Sequence, residues 1–218
     1  MISVADLINK KPLKGNYFAP SSYVQGDFEL GLLETRQGAR LISLPQTFIQ
    51  GMFAGLNEEL GQATGVVLYN CGRWWGKNFY RRFLEDVSEY YQTPLAQMEM
   101  AQFLSCFKQC WKTHGWGVAD FNFDYYSQGF ICIKTTNSPF AQNAEPDQEP
   151  SCHLEAGVLS SFFSQITGQE LTCIQTDCES LKDQSNQFII GLEERLKVTK
   201  SWLEEGHKHE QIMKLLCN

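Results

Sequence analysis

The segment from Cys152 to Phe188, CHLEAGVLSSFFSQITGQELTCIQTDCESLKDQSNQF, constrains the fold most. It holds three of the eight cysteines and one of the four histidines of the 218-residue chain. It leaves a loop, enters an apolar helix that stops at Gly168, and continues as two strand-like runs joined by a polar turn. A helix followed by a hairpin brings distant thiols to one place, which is the path of a metal site or of the remains of one. Everything upstream then reads as the wall of a pocket that this segment closes.

The rest of the chain alternates helices and hairpins. Pro45 opens a helix over 46–60, with Phe48, Ile49, Met52, Phe53 and Leu56 on one stripe. A second helix over 65–91 repeats that period through Leu68, Trp75, Phe79, Phe83, Val87 and Tyr90. Its Gly72 and Gly76 lie four apart, and glycine weakens a helix. Such a pair predicts close approach of another backbone or of a ligand. Thr93-Pro94 opens a third helix that stops at Gly115. Val118–Tyr125 and Phe130–Thr136 form an antiparallel hairpin around the turn at 126–129, and an earlier hairpin turns at Arg36-Gln37-Gly38. Strands are expected at 169–176 and 186–192.

Four stretches frame these elements. A short helix over 2–10 is weakly capped by Ser3. Residues 11–27, broken by Pro12, Gly15, Pro20 and Gly26, read as a loop or arm. The polar run 143–150, NAEPDQEP, is a mobile loop or lid. Residues 193–216 are charged and helical, anchored by Leu196, Trp202, Leu203, Ile212 and Leu215, with a break near Gly206. The layout is α+β, an antiparallel sheet built from hairpins against a layer of helices, with an extra C-terminal helix. Its division is an N-terminal arm at 1–27, a main domain at 28–192, and an extension of that domain at 193–218.

Charge and composition exclude several functions. A net charge of −7 and a pI near 5.1 argue against nucleic acid. The one compact basic group, Lys77, Arg81 and Arg82, reads as a solvated helix face. With no signal-peptide core and no membrane span, a cytoplasmic protein with at most peripheral membrane-protein contact is expected. Its cysteines are then reduced; Cys106 and Cys110 read as core. His114 stands at a helix end, where the dipole favours a cationic ring. His207 and His209 read as solvated. Aromatic residues make up 13% of the chain, enough to line a flat cavity or to fill an ordinary core. No nucleotide-binding loop or nucleophile elbow occurs, so no catalytic residue is assigned.

Four pieces, in this order, carry a likeness: LYNCGRWWGKNF, FICIKTTNSPFA, Cys152 leading into a helix with Gly157, and the closing cysteine hairpin. Over about residues 30–192 the chain resembles the 4-vinyl-reductase-like (V4R) domain family, relatives of the TRAPP-type tethering subunits. It is most similar to single-domain cyanobacterial members. The resemblance implies a V4R-like ligand-binding domain with a hydrophobic pocket, acting without catalysis. Its ligand would be a tetrapyrrole such as a chlorophyll precursor, porphyrin or bilin, in photosystem or pigment-protein biogenesis. Candidate wall residues are Trp74, Trp75, Phe79, Phe103, Phe107, Trp111, Trp116 and Phe130. It also implies a homodimer, with the helix over 46–60 as a face. Two alternatives stay open: a dimeric assembly or scaffold protein whose pocket is closed, and a vinyl reductase, for which no hydride-donor site is visible.

The family's metal-binding members use Cys, Glu, Cys and Cys. Those positions fall here on Cys152, Gln175, Cys178 and Asn186. Two neutral carboxamides stand where ligands belong, so no zinc is expected; Cys173 and His153 are the neighbours that could replace them.

Overall fold

Apolar periodicity places the helices close to where the sequence predicts them. The computed structural model describes residues 14–141 and 150–217; the expected helix over 2–10 and the polar loop at 143–149 lie outside them. Helix α1 (Pro20–Tyr23) leads into a sheet of β1 (Val24–Asp27), β2 (Leu32–Thr35) and β3 (Arg40–Leu41). The β2–β3 turn needs Gly38, whose φ is +78°. Three helices follow: α2 (Gln46–Leu60), α3 (Thr64–Tyr91) and α4 (Met100–Thr113). The last begins six residues after Pro94, because Leu95–Gln97 form a separate 3-10 turn.

The main sheet comes from β4 (Val118–Asn122), β5 (Ile131–Thr136), β6 (Thr172–Asp177) and β7 (Asn186–Gly191), in the order β4-β5-β7-β6, antiparallel throughout. Helix α5 (His153–Thr167) enters between β5 and β6 and stops at Gly168, φ +68°. The C-terminal stretch is three helices, α6 (Glu193–Leu196), α7 (Thr199–Glu204) and α8 (His209–Cys217), broken at Gly206 as expected.

Alternation along the strands gives each face of the sheet its own core. Ile133, Cys173, Phe188 and Ile190 point to the layer of α3, α4 and α5. Phe130, Cys132 and Ile189 point the other way, onto Leu196, Ile212 and Met213 of the C-terminal helices. The extension thus covers the outer face of the sheet.

Helices α3 and α5 cross with backbones in contact. A Cβ on Gly72 would sit 2.1 Å from the Leu154 carbonyl oxygen, and one on Gly157 would sit 2.1 Å from that of Tyr69. Real side-chain carbons do not approach that closely. The glycine pair of α3 therefore serves helix packing, and the ligand alternative falls away at this position.

Three local expectations change. Residues 14–27, part of the expected arm, bury Tyr17, Phe18 and Tyr23 to 4% exposure or less, so they belong to the core. His114 is neutral rather than cationic. Burial lowers its pKa, its Nδ1 donates to the Cys110 carbonyl at 2.8 Å, and its ring stacks on Trp116. His209 is buried rather than solvated, with Nδ1 2.8 Å from the Thr176 hydroxyl. In both cases a distant neighbour reaches the ring: Tyr23 packs edge-on against His114 at 5.3 Å, and Thr176 meets His209.

Candidate functional site: a cavity under helix α2

Helix α2 has 15 residues and buries none of them fully. It is held off the body of the protein, and the space beneath it is a cavity of about 890 Å³. Phe53, Ala54 and Asn57 of α2 form one side. The first turns of α3 and α5, with Gly65, Leu68 and His153, form the opposite side. Edge strand β6 supplies Cys173, Ile174 and Gln175, and α7 supplies Lys200 and Leu203.

The cavity grades from apolar to polar. Leu68, Ala156 and Cys173 are buried at its floor. Tyr69 is fixed there by its hydroxyl, which accepts from the Cys173 amide at 3.2 Å. Around the mouth stand carboxamides and hydroxyls from Gln50, Asn57, Gln62, Thr64 and Ser151. The His153 ring lies against the start of α3: a Cβ on Gly65 would be 2.9 Å from its Nε2. A volume of this size, apolar below and polar at the entrance, is the usual form of a small-molecule site.

Behind the wall lies the cysteine hairpin. Folding brings Cys152, Gln175, Cys178 and Asn186 together, all buried. Hydrogen bonds join them. The Cys152 amide donates to Gln175 Oε1 at 2.8 Å, and Gln175 Nε2 donates to Asn186 Oδ1 at 3.3 Å. Asn186 Nδ2 donates to Glu179 Oε2 at 2.9 Å, and Asn186 Oδ1 accepts the Glu179 amide at 2.9 Å. Glu179 also accepts the amides of Asn137 and Ser138 from the bend after β5. The Cys152 thiol donates to Asn186 Oδ1 at 3.7 Å; interaction with neighbouring Cys152 and with the Ser180 hydroxyl, 2.8 Å from its sulfur, brings the Cys178 pKa down to about 5. Its partner moves the opposite way, since Cys152 interacts with Cys178 and is itself buried.

This set does not fit zinc. Tetrahedral zinc takes thiolate, imidazole or carboxylate, whereas here two carboxamides are committed to hydrogen bonds with neighbours. Among the described residues no three His, Cys, Asp or Glu side chains gather in a metal-binding group, so neither Cys173 nor His153 completes one.

The eight aromatic residues named from the sequence lie elsewhere; none lines the cavity. Trp74 is 73% exposed. Trp75, Phe79, Phe103, Phe107, Trp111 and Trp116 belong to the filled interior between the helices and the sheet. There Phe79 stacks on Phe162 at 5.0 Å, Phe107 on Trp111 at 5.2 Å, and Trp75 meets Trp116 edge-on at 4.9 Å. Phe130 is on the opposite face of the sheet, under the Arg195 guanidinium. Rings attract rings, so this density of aromatics produces packing rather than a void. The cavity residues gave little sequence signal, because Asn57, Gln62 and Lys200 look like ordinary helix surface.

Beside this interior is a further buried acid that the sequence did not mark. Glu155 is fully buried, accepts from Ser138 Oγ at 2.8 Å through Oε2, and leaves Oε1 without a hydrogen bond. Burial raises its pKa to about 7.

Comparison with known proteins completes the picture. Residues 131–192 match the V4R domain family. No curated protein matches the chain. The phenol-responsive sensory domain of the transcription activator PoxR, solved with phenol, is similar with a TM-score of 0.64 at 12% identity, over 84% of this chain and 92% of that one. Trafficking protein particle complex subunit 3 from Naegleria fowleri, covalently bound to palmitic acid, is similar with a TM-score of 0.51 at 12% identity, over 67% and 94%. A vinyl-4-reductase family protein from Methanocaldococcus jannaschii aligns at 0.45 and 17% identity, over 69% and 82%, a likeness that carries no argument. The α+β architecture is shared with the PoxR sensory domain and the trafficking-complex subunit. No helix among the described residues is long and apolar enough to cross a membrane.

Proposed function

We propose, from a chain that carries a V4R domain, that it is a non-catalytic binding protein whose cavity under α2 holds a hydrophobic small molecule. The observation that carries this reading is the cavity itself, about 890 Å³ with a buried apolar floor. That is at the upper end of the range for ligand sites and leaves room for a molecule of tetrapyrrole size. The similarity to a sensory domain solved with phenol supports a small-molecule role in this fold. A chlorophyll precursor, porphyrin or bilin is the ligand class proposed, in photosystem or pigment-protein biogenesis, as the family resemblance suggests.

The test is titration of the purified protein with protoporphyrin IX, biliverdin and chlorophyllide, followed by absorption and fluorescence. Saturable binding with a dissociation constant on the order of 1 μM is expected, and it weakens in Ala54→Trp, which puts an indole into the cavity. No saturable binding by any of the three sinks the reading.

A second reading, a dimeric assembly protein, is favoured by one observation. Large apolar side chains are exposed through the N-terminal part: Phe28 at 87%, Ile42 at 74% and Trp74 at 73%. Large exposed apolar side chains are what an association surface presents. Sedimentation equilibrium should show a homodimer that Phe28→Ser with Trp74→Ser dissociates. A monomer at all concentrations would remove this reading.

A further inference from the structure

We infer that the cavity selects an anionic amphipath, with the apolar body against Phe53, Leu68 and Ile174 and a carboxylate at the mouth facing Lys200. The inference rests on the cavity being a ligand site and says what chemistry that site takes.

Charge makes the first argument. The chain has 25 Asp and Glu and a net charge of −7. Yet among the described residues no carboxylate lines the cavity, while one lysine and one histidine do. Lys200 is exposed and forms no salt bridge among the described residues, whose ion pairs join other cations.

Helix geometry makes the second argument. The 28-residue α3 and the 15-residue α5 both begin on the cavity wall, at Thr64 and His153. Neither start has a side-chain cap, and the first turn of α3 has no acid. The start of α3 continues a 3-10 turn whose Gly61 carbonyl accepts the Thr64 amide; the start of α5 carries the partial positive charge that favours an anion. The one acid in the first turn of α5, Glu155, turns inward to Ser138 and is not part of the lining.

The polarity gradient makes the third. Donors from Gln50, Asn57 and Gln62 stand with Lys200 around an apolar floor. Exposed at the entrance, Asn57, Gln62 and Lys200 can meet a charged end there while the floor takes the apolar body. Fatty acids and tetrapyrrole propionates share that chemistry.

The test uses the full chain with 1-aminoanthracene, a neutral dye, as reporter. Dodecanoate is compared with dodecan-1-ol, and protoporphyrin IX with its dimethyl ester. The acids should displace the dye at roughly tenfold lower concentration than their neutral partners. The preference should shrink in high salt and vanish in Lys200→Glu, whose melting temperature should match the parent because the residue is exposed. Preference within only one pair identifies the source, fatty acid or tetrapyrrole. Equal or tighter binding of the neutral partners overturns the inference and leaves the binding function standing. If neither the acids nor the neutral compounds displace the dye, both fail.

Discussion

The aromatic interior and the cavity are built on the same two helices, and they differ in what was brought up against them. On one side α4 and the sheet press onto α3 and α5, and the space fills with Phe79, Phe83, Phe107 and Phe162, their centroids 5.0 to 6.4 Å apart. On the other side α2 stands off, and β6 and α7 line the space without filling it. There Phe53 and Tyr69 are the aromatic members of the lining. A concentration of rings thus marks where this protein is solid. The opening lies where a helix has apolar residues but too few neighbours to bury them.

Breaking the shared support should have the largest effect. Gly157→Leu puts a side chain into the Tyr69 carbonyl oxygen, 2.1 Å from where its Cβ would be, so the two helices must part. A loss above roughly 4 kcal/mol is expected, in the range reserved for severe core damage. Thermal unfolding by circular dichroism should show a collapse of the transition or no folded protein. A near-parental melting temperature would mean that the crossing is looser than described.

Damage confined to the solid side should come next. Phe162→Ala removes a ring with no solvent exposure from the interior. It should cost about 3–5 kcal/mol, measured by urea unfolding, and create a void rather than relieve crowding. If the loss is under about 1 kcal/mol, the interior is not the close-packed region inferred here.

Glu155 provides a pH-dependent version of the same contrast. Its pKa in the folded protein is about 7 against an ordinary 4.5, because burial penalises the charged form. The stability tied to its protonated state is therefore complete below about pH 4.5 and is lost as the pH rises through about 7. Glu155→Gln should then be more stable than the parent at pH 8, by on the order of 2 kcal/mol, and nearly equal to it at pH 5. Denaturation at the two pH values measures this. A variant that gains nothing at pH 8 would place Glu155 in a wetter setting.

The smallest effect on stability is expected at the cavity. Ala54 is exposed on α2, and Ala54→Trp should change unfolding by less than about 0.5 kcal/mol. It should nevertheless weaken displacement of the reporter dye. A large stability change with unaltered binding would show that α2 is packed after all.

Much of the fold was legible from the chain, and the reason is local. The helix over 46–60 has the predicted bounds because its stripe and Pro45 act within a few residues. The stops at Gly115 and Gly168 follow from their positive φ of +73° and +68°. In the structure, strand alternation sends the residues of β5 and β7 to two separate cores. The cysteine hairpin was legible too, in that Cys152, Gln175, Cys178 and Asn186 do meet. The aromatic wall was not, since composition is silent on whether rings face a void or each other. Nor was the cavity, whose lining comes from five elements spread between residues 50 and 203.

The sequence by itself determined where most of the long helices and the main-sheet strands lie, and that Gly72 and Gly76 mark a close approach of another backbone or of a ligand. Period, caps and glycine act over one or two turns. Tertiary structure alone decided that the backbone met is that of α5. It also decided that His114 is neutral, that Glu155 keeps its proton to about pH 7, and that an opening remains under α2. Desolvation and empty space are sums over every element packed around a point, and no local stretch of sequence contains that sum.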